Sequence, residues 1–326
     1  MKIIERRKYG SAKVLHIAET EIPLVGDDQV LVKVQLVSLN AYDWHMMRGT
    51  PYLVRIMSGF FKPKFAGFGV DFAGEITAVG RNVSEFKIGD AIFGGADGAL
   101  AEYFAISPQR IIHKSKGLTF EQAAAIPMAG MTALQGLRDK GRIGPGQKVL
   151  IIGASGGVGT FAVQIAKSLG AEVSAVCSTQ NLELVRSLGA DHLIDYTRED
   201  FAKSDKRYDV ILQIAGDHKL SELRRVLNSN GIAVLIGDSA VPNRQVGFGI
   251  VIGLLKAQML SRILGQKFLP MLAKRSREDL LLLSALIESG KVFPVIDRSY
   301  ALGEIAAAIT YLETGRAKGK VLIEIS

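Results

Sequence analysis

The run Val149-Leu150-Ile151-Ile152-Gly153-Ala154-Ser155-Gly156-Gly157-Val158-Gly159 carries an apolar, β-branched segment straight into a glycine-rich turn. A periodic apolar stretch follows, with Phe161, Val163, Ile165, Ala166 and Leu169. That order suits a pyrophosphate. A buried strand delivers the chain to a tight turn, glycines let backbone N–H groups approach phosphate oxygens, and a helix N-terminus adds partial positive charge. Residues 154–159 fit the dinucleotide fingerprint, with Ala154 where the first glycine stands. Ala154, Ser155, Gly156, Gly157, Val158 and Gly159 are therefore the candidate phosphate-lining residues; the plainer alternative is a strand-to-helix turn without a ligand. The second strand ends Ala175-Val176-Cys177-Ser178-Thr179, lacking the Asp or Glu that would bind the ribose diol of NAD. A carboxylate there would repel a 2′-phosphate, whereas a serine hydroxyl can donate to it. Ser178 thus favours NADP(H), and its competing role is to cap the helix that follows. Gly237, just beyond the strand Ile232–Ile236, is expected to face the nicotinamide, because ligands sit past the carboxyl ends of such strands.

The elements that must position these residues alternate. Strand Val149–Ile152 precedes helix Val158–Leu169, and strand Glu172–Cys177 precedes helix Asn181–Ser187. Short apolar strands recur at His192–Ile194, Val210–Ile214 and Ile232–Ile236, with a helix over Leu220–Leu227. Strands separated by helix-length segments predict an α/β fold with a doubly wound parallel sheet. The first third is β-rich instead: Val30–Val37, Asp71–Val79 and Ala91–Phe93 read as strands, punctuated by Gly-Asp turns. Thr119 and Gln122 make a capping box for a helix through Ala125. Helices at Glu278–Ser289 and Leu302–Glu313 lead to a closing strand, Val321–Ile325, expected to return to the first domain. We expect residues 1–125 and 270–326 to form a discontinuous substrate domain, and 126–269 the dinucleotide-binding domain.

A chain of 326 residues can bury a large core and split into two domains. No apolar run reaches the ~20 residues that span a bilayer. The N-terminal residues read as a strand rather than a signal peptide, so a cytoplasmic location is expected. One cysteine, Cys177, excludes an intramolecular disulfide and a Cys-rich zinc site. The net charge of +8 is uneven: from Ser239 to Arg277 there is no acid, while seven basic residues surround the apolar run Val246–Leu255. Such a segment could rest on an anionic membrane or meet a phosphorylated substrate. The plainer reading, an apolar cleft wall backed by solvated cations, is the one we adopt.

Several further motifs, in shared order, resemble the medium-chain dehydrogenase/reductase superfamily, in particular its zinc-independent quinone oxidoreductase branch. They are Gly69-Val70-Asp71-Phe72-Ala73-Gly74-Glu75-Ile76, Gly98-Ala99-Leu100-Ala101-Glu102-Tyr103, Ala129-Gly130-Met131-Thr132-Ala133 and Gly315-Arg316-Ala317-Lys318-Gly319-Lys320-Val321. The resemblance implies a β-rich GroES-like domain, a Rossmann domain, a cleft between them and a homodimer. Where zinc alcohol dehydrogenases place a ligand cysteine this chain has Asn40, and where they place His-Glu it has Val70-Asp71. A catalytic Zn²⁺ needs about three protein ligands, and these side chains do not supply them. The five histidines, His16, His45, His113, His192 and His218, are scattered.

The resemblance also implies roles. Thr132 would lie beside the nicotinamide, Tyr196 near the adenosine phosphate, and Ala317, Lys318 and Gly319 in a segment folding back toward the cofactor. Asn40 would orient the nicotinamide ribose or the acceptor, and Tyr52, with Tyr42 as a second candidate, could donate to a developing enolate. The bland alternatives are a Thr132 hydroxyl bonded into its own helix, a solvated Lys318, and an Asn40 that caps a turn beside Asp43. The chemistry expected is hydride transfer from NADPH to an already electrophilic small molecule, a quinone or α,β-unsaturated carbonyl compound. An enoyl-thioester reductase is the enzymatic alternative. A nucleotide-binding scaffold or nucleic-acid binder is the non-enzymatic one, supported by the basic charge but lacking any major-groove motif.

Overall fold

The computed structural model describes residues 1–216, 218–236 and 265–325. Along the first part run β1 (Lys2–Glu5), β2 (His16–Glu19), β3 (Val30–Leu39), α1 (Ala41–Arg48), α2 (Leu53–Ser58), β4 (Asp71–Val79), β5 (Ala91–Gly95), β6 (Tyr103–Ile106) and β7 (Ile111–His113). Next come α3 (Phe120–Ala125), α4 (Pro127–Gln135), β8 (Lys148–Ile152), α5 (Gly157–Ser168), β9 (Glu172–Cys177), α6 (Leu182–Ser187), β10 (His192–Asp195) and β11 (Tyr208–Gln213). The chain finishes with α7 (Leu220–Val226), β12 (Leu227–Leu235), β13 (Lys267–Pro270), α8 (Arg277–Glu288), β14 (Ile296–Ala301), α9 (Ile305–Glu313) and β15 (Lys320–Glu324).

Six strands form an all-parallel sheet in the order β10-β9-β8-β11-β12-β13. Counted from β8 this is 3-2-1-4-5-6, the Rossmann order, with its reversal between β8 and β11. Helices cover both faces of such a sheet, so its strands are apolar throughout rather than alternating. Val149, Leu150, Ile151 and Ile152 of β8 are accordingly all buried. The strand β13 was not expected from the sequence. It lies inside the basic, apolar window, where no alternation distinguishes four paired residues from their surroundings.

The second sheet runs β14-β15-β3-β4-β5-β7, with β6 also paired to β3. The closing strand does return to the first third of the chain: β15 pairs antiparallel with β3, Val321 opposite Leu39. The Thr119 capping box forms as read: Thr119 Oγ1 accepts from the Gln122 amide at 3.2 Å, and Gln122 Oε1 accepts from the Thr119 amide at 3.0 Å. Two features depart from expectation. The helix read as Leu302–Glu313 starts at Ile305, after a short 3-10 turn. And α8, which a division at residue 270 places with the β-rich half, buries Leu280, Leu283 and Ile287 in the same core as β8, β9 and α5. Its apolar stripe needs a partner, and α4 supplies it.

Candidate active site

The loop after β8 is built as a phosphate cradle. The Gly153 and Ala154 amides donate back to Val176 O of β9 at 3.2 and 3.0 Å, which folds the turn sharply over the end of the sheet. Gly159 must be glycine for packing: a Cβ there would stand 2.1 Å from Gly153 O. Gly156 is the opposite case. Among the described residues a Cβ there would meet only Gly153 O, at 3.7 Å. Gly156 is also the N-cap of α5 and offers no side-chain acceptor, so the first-turn N–H groups of the helix, which lack intrahelical partners, are left for a ligand. Ser155 is held in place by Asn181, whose Nδ2 donates to its hydroxyl at 2.9 Å.

Residues 317–319 fold back onto this loop. The Gly319 amide donates to Ser155 O at 2.9 Å, and Gly156 and Gly319 form an isolated parallel bridge. Ala317 packs on the core of the β-rich sheet. Lys318 is exposed, and its contact is made by its backbone amide, which donates to Asp297 at 3.2 Å. The solvated alternative describes its side chain.

Lys320, one residue past Gly319, lies beneath the loop. Its Cδ would stand 3.0 Å from a Cβ on Gly157. Its ammonium is buried, donating to Leu39 O at 3.1 Å and to Asn40 Oδ1, and lies 3.9 Å from Asp71 Oδ2. That same Asp71 oxygen accepts from Asn40 Nδ2 and from the Met128 amide, each at 3.0 Å. The carboxylate therefore sits at the N-terminus of α4, where the helix dipole favours it. One turn on, Thr132 donates to Met128 O at 2.6 Å, the in-helix bond that was its bland alternative. Burial pushes the Asp71 carboxyl up and the Lys320 ammonium down, and each partner's charge opposes the other's shift.

Asn40 thus faces inward. Its amide nitrogen serves Asp71 and Ser38 O, and its oxygen serves Lys320. Its backbone amide donates to Asp43 Oδ2 at 2.7 Å. In this arrangement Asn40 locks the charged cluster; both its amide protons are used and only a second lone pair on Oδ1 remains. Burial lifts the Asp43 carboxyl to about 7, the Asn40 amide opposing the shift. A raised carboxyl favours the protonated native state, so Asp43 lowers stability as pH rises from the unfolded value near 4 to about 7, and the cost is constant above that. Asp43→Asn keeps an acceptor for the Asn40 amide. It is expected to raise the melting temperature at pH 8 and to raise it much less at pH 5, checked by thermal melts across that range; a gain greater at pH 5 would contradict the assignment.

The two phenols stand apart from this cluster. Tyr42, half-buried, donates to Asp97 at 3.5 Å, and Asp97 is itself gripped by Arg275 through two bonds of 2.8 and 3.2 Å. Burial raises the Tyr42 phenol, with Asp97 adding to the shift. Tyr52 is exposed and stacks under the Arg55 guanidinium at 4.9 Å. The buried Arg6, whose guanidinium Nε and Nη1 have no hydrogen-bond partner among the described residues, lies 5.8 Å from the Phe68 ring. At the far end, the Tyr196 amide donates to Cys177 O at 3.1 Å, which sets Tyr196 beside Ser178 with its ring exposed. The Ser178 hydroxyl makes no capping bond, so that competing role is not taken. Gly237 lies outside the described residues.

The glycine loop, the uncapped α5, the acid-free end of β9 and the free Ser178 hydroxyl together fit NADP(H). Sequence reasoning missed Lys320, Asp71 and Asn181 as parts of this site. The available signal was a charge of each sign beginning an apolar strand, Lys320 on β15 and Asp71 on β4; these strands' other charges, Glu75 and Glu324, are exposed, while a buried lysine and a buried aspartate must find a partner.

The chain matches the alcohol dehydrogenase GroES-like domain over residues 26–116 and a family described as zinc-binding dehydrogenase over residues 188–323. It is 33% identical over 99% of its length to a 2-methylene-furan-3-one reductase of Solanum lycopersicum, 79% of which is covered. Over 97% of its length it is 32% identical to a chloroplastic NADPH-dependent alkenal/one oxidoreductase of Arabidopsis thaliana, of which 77% is covered. The solved quinone oxidoreductase of Coxiella burnetii superposes with a TM-score of 0.85 at 30% identity, covering 100% of this chain and 99% of that one. The chain belongs to the medium-chain dehydrogenase/reductase superfamily, in its zinc-independent quinone oxidoreductase branch. Among the described residues no three His, Cys, Asp or Glu side chains converge as a metal site.

Proposed function

We propose that this protein is an NADPH-dependent reductase of quinones and α,β-unsaturated carbonyl compounds. The observation that carries the reading is the pairing of an open, uncapped phosphate cradle at Gly156 with an acid-free strand end at Ser178. Bound NADPH supplies the hydride. The chain's own part is to hold and orient. The α5 N-terminus would place positive potential beside the pyrophosphate, while the Lys320 stem supports the loop from beneath, its ammonium fixed by Asp71 and Asn40. Thr132 would lie beside the nicotinamide, and Tyr42 or Tyr52 would donate a hydrogen bond to charge developing on the acceptor oxygen. An acceptor that is already conjugated needs positioning and a donor more than it needs a Lewis acid. The homodimer and cytoplasmic location belong to the same proposal, and sedimentation and fractionation test them.

Stopped-flow oxidation of NADPH with 1,2-naphthoquinone, an alkenone and crotonyl-CoA tests the acceptor class. Turnover of the quinone and the alkenone is expected, and turnover of the thioester alone would make the protein an enoyl-thioester reductase. For the cofactor, Ser178→Asp is expected to lower kcat/KM for NADPH roughly tenfold or more relative to NADH, because a carboxylate would face the 2′-phosphate. Unchanged selectivity would mean that the phosphate is read elsewhere.

A further inference from the structure

Between Asp43 and Asp71 the sequence contains no acid, while Arg48, Arg55, Lys62 and Lys64 fall within that span. Its middle carries apolar side chains turned to solvent: Ile56 is 66% exposed, Phe60 65%, Phe61 90% and Phe65 56%. Contiguous exposed apolar surface of this kind marks an interaction site rather than ordinary surface. The segment is firmly held. The Lys64 amide donates to Ser58 O at 2.8 Å, closing residues 58–64 into a loop. Tyr9 donates to Gly59 O at 2.6 Å and shares a 2.8 Å hydrogen bond with Ser58 Oγ. Pro63 is buried, and Arg55 donates to Gly49 O while covering the Tyr9 ring at 4.6 Å. What projects from this rigid base is Phe60-Phe61-Lys62, with Lys64 and Phe65 behind. Neither lysine has an ion-pair partner among the described residues.

We propose that this loop seats the protein on an anionic bilayer surface. Phe60 and Phe61 would enter the boundary between headgroups and acyl chains, and Lys62 and Lys64 would meet lipid phosphates. Aromatic side chains at a tip, flanked by cations whose long stems keep their charge in the headgroup layer, are what an interfacial contact requires. No helix among the described residues is long and apolar enough to cross a membrane. Two other occupants fit less well. Across a two-fold axis the lysines of two copies would face each other with no acid in residues 44–70 to pair them. Bases of a single-stranded nucleic acid need parallel faces on which to stack, and the Phe60 and Phe61 rings meet edge to face, 79° apart at 5.1 Å. This proposal is independent of the reductase reading and of the basic segment 239–277.

Cosedimentation of the full chain with vesicles tests it, using phosphatidylcholine alone and phosphatidylcholine mixed with phosphatidylglycerol. Binding to the mixed vesicles, weakened by salt, is expected. The double variant Phe60→Ser, Phe61→Ser should bind them at least about tenfold more weakly, and Lys62→Glu, Lys64→Glu should abolish the preference for anionic lipid. Unchanged melting temperatures would show that both variants are folded. Four outcomes would overturn the proposal: no vesicle binding by the parent; equal binding by parent and phenylalanine variant; a change of oligomeric state in that variant, which assigns the face to a second copy; or retention of oligo(dT) by the parent that the variants lose.

Discussion

Lys320→Met is expected to destabilise the protein by roughly 3–5 kcal/mol, the usual cost of removing one partner of a buried ion pair. For a chain of this size that is a fall on the order of 10 °C in melting temperature. The methionine fills most of the same space, so the cost is electrostatic rather than steric. Lys320 is 2% exposed and Asp71 1%. Without the ammonium, the Asp71 carboxylate keeps its bonds from Asn40 and Met128 but loses its nearest counter-charge, and its Oδ1 already has no partner. Asn40 Oδ1 and Leu39 O lose their donor at the same time. The companion variant Lys320→Met, Asp71→Asn removes both charges, and an asparagine can still accept from the Met128 amide. It should recover most of the loss, since replacing a whole buried pair is far milder than breaking one. Urea melts of the two variants separate the cases. If the single variant were as stable as the parent, the pair would not be ionised, and the electrostatic account of the cleft floor would fall with it.

How much of this was legible beforehand depends on what kind of signal each feature leaves. The parallel sheet was readable because β8, β9, β11 and the end of β12 are buried on both faces. Burial on both faces writes itself as an uninterrupted apolar run, and the helices between them keep their own period. Helix starts were readable where a side chain closes them, as at Thr119. By contrast, β14 mixes half-buried and exposed residues without a strict period at the edge of its sheet, and β13 sits in a window without contrast, so neither leaves a pattern. The glycine loop and Ser178 stood out as candidates because backbone geometry and the charge of a phosphate restrict which residues fit. Asn40 was a candidate from the sequence, but its orientation was not readable. Which way an amide turns is decided by Lys320 and Asp71, respectively 280 and 31 residues away along the chain. Pairing of that range is settled by topology: β15 must lie beside β3, and β3 beside β4, before Lys320 and Asp71 can meet.

Substitutions in the glycine loop should separate folding from cofactor binding. Gly156→Ala is expected to weaken NADPH binding about tenfold, and Gly156→Val by about a hundredfold or more, each tenfold being about 1.4 kcal/mol. Neither should move the melting temperature of the cofactor-free protein appreciably. The reasoning is local. Gly156 has φ −80° and ψ 177°, extended backbone that any residue adopts, and a Cβ there touches nothing closer than 3.7 Å. Among the described residues nothing else stands close to such a methyl group, so what it would meet is a ligand drawn against the first turn of α5, where a phosphate oxygen must come within hydrogen-bond distance of backbone N–H groups. Gly159→Ala is the contrasting control. Its Cβ would strike Gly153 O at 2.1 Å and Ala154 at 2.7 Å, so it should lose stability and cofactor affinity together. Titration by the fluorescence of the reduced nicotinamide, alongside thermal melts, reads both quantities. Parent-like NADPH affinity in Gly156→Val would mean that the pyrophosphate does not rest on this helix, because no arrangement of oxygens against those amides leaves room for an added isopropyl group.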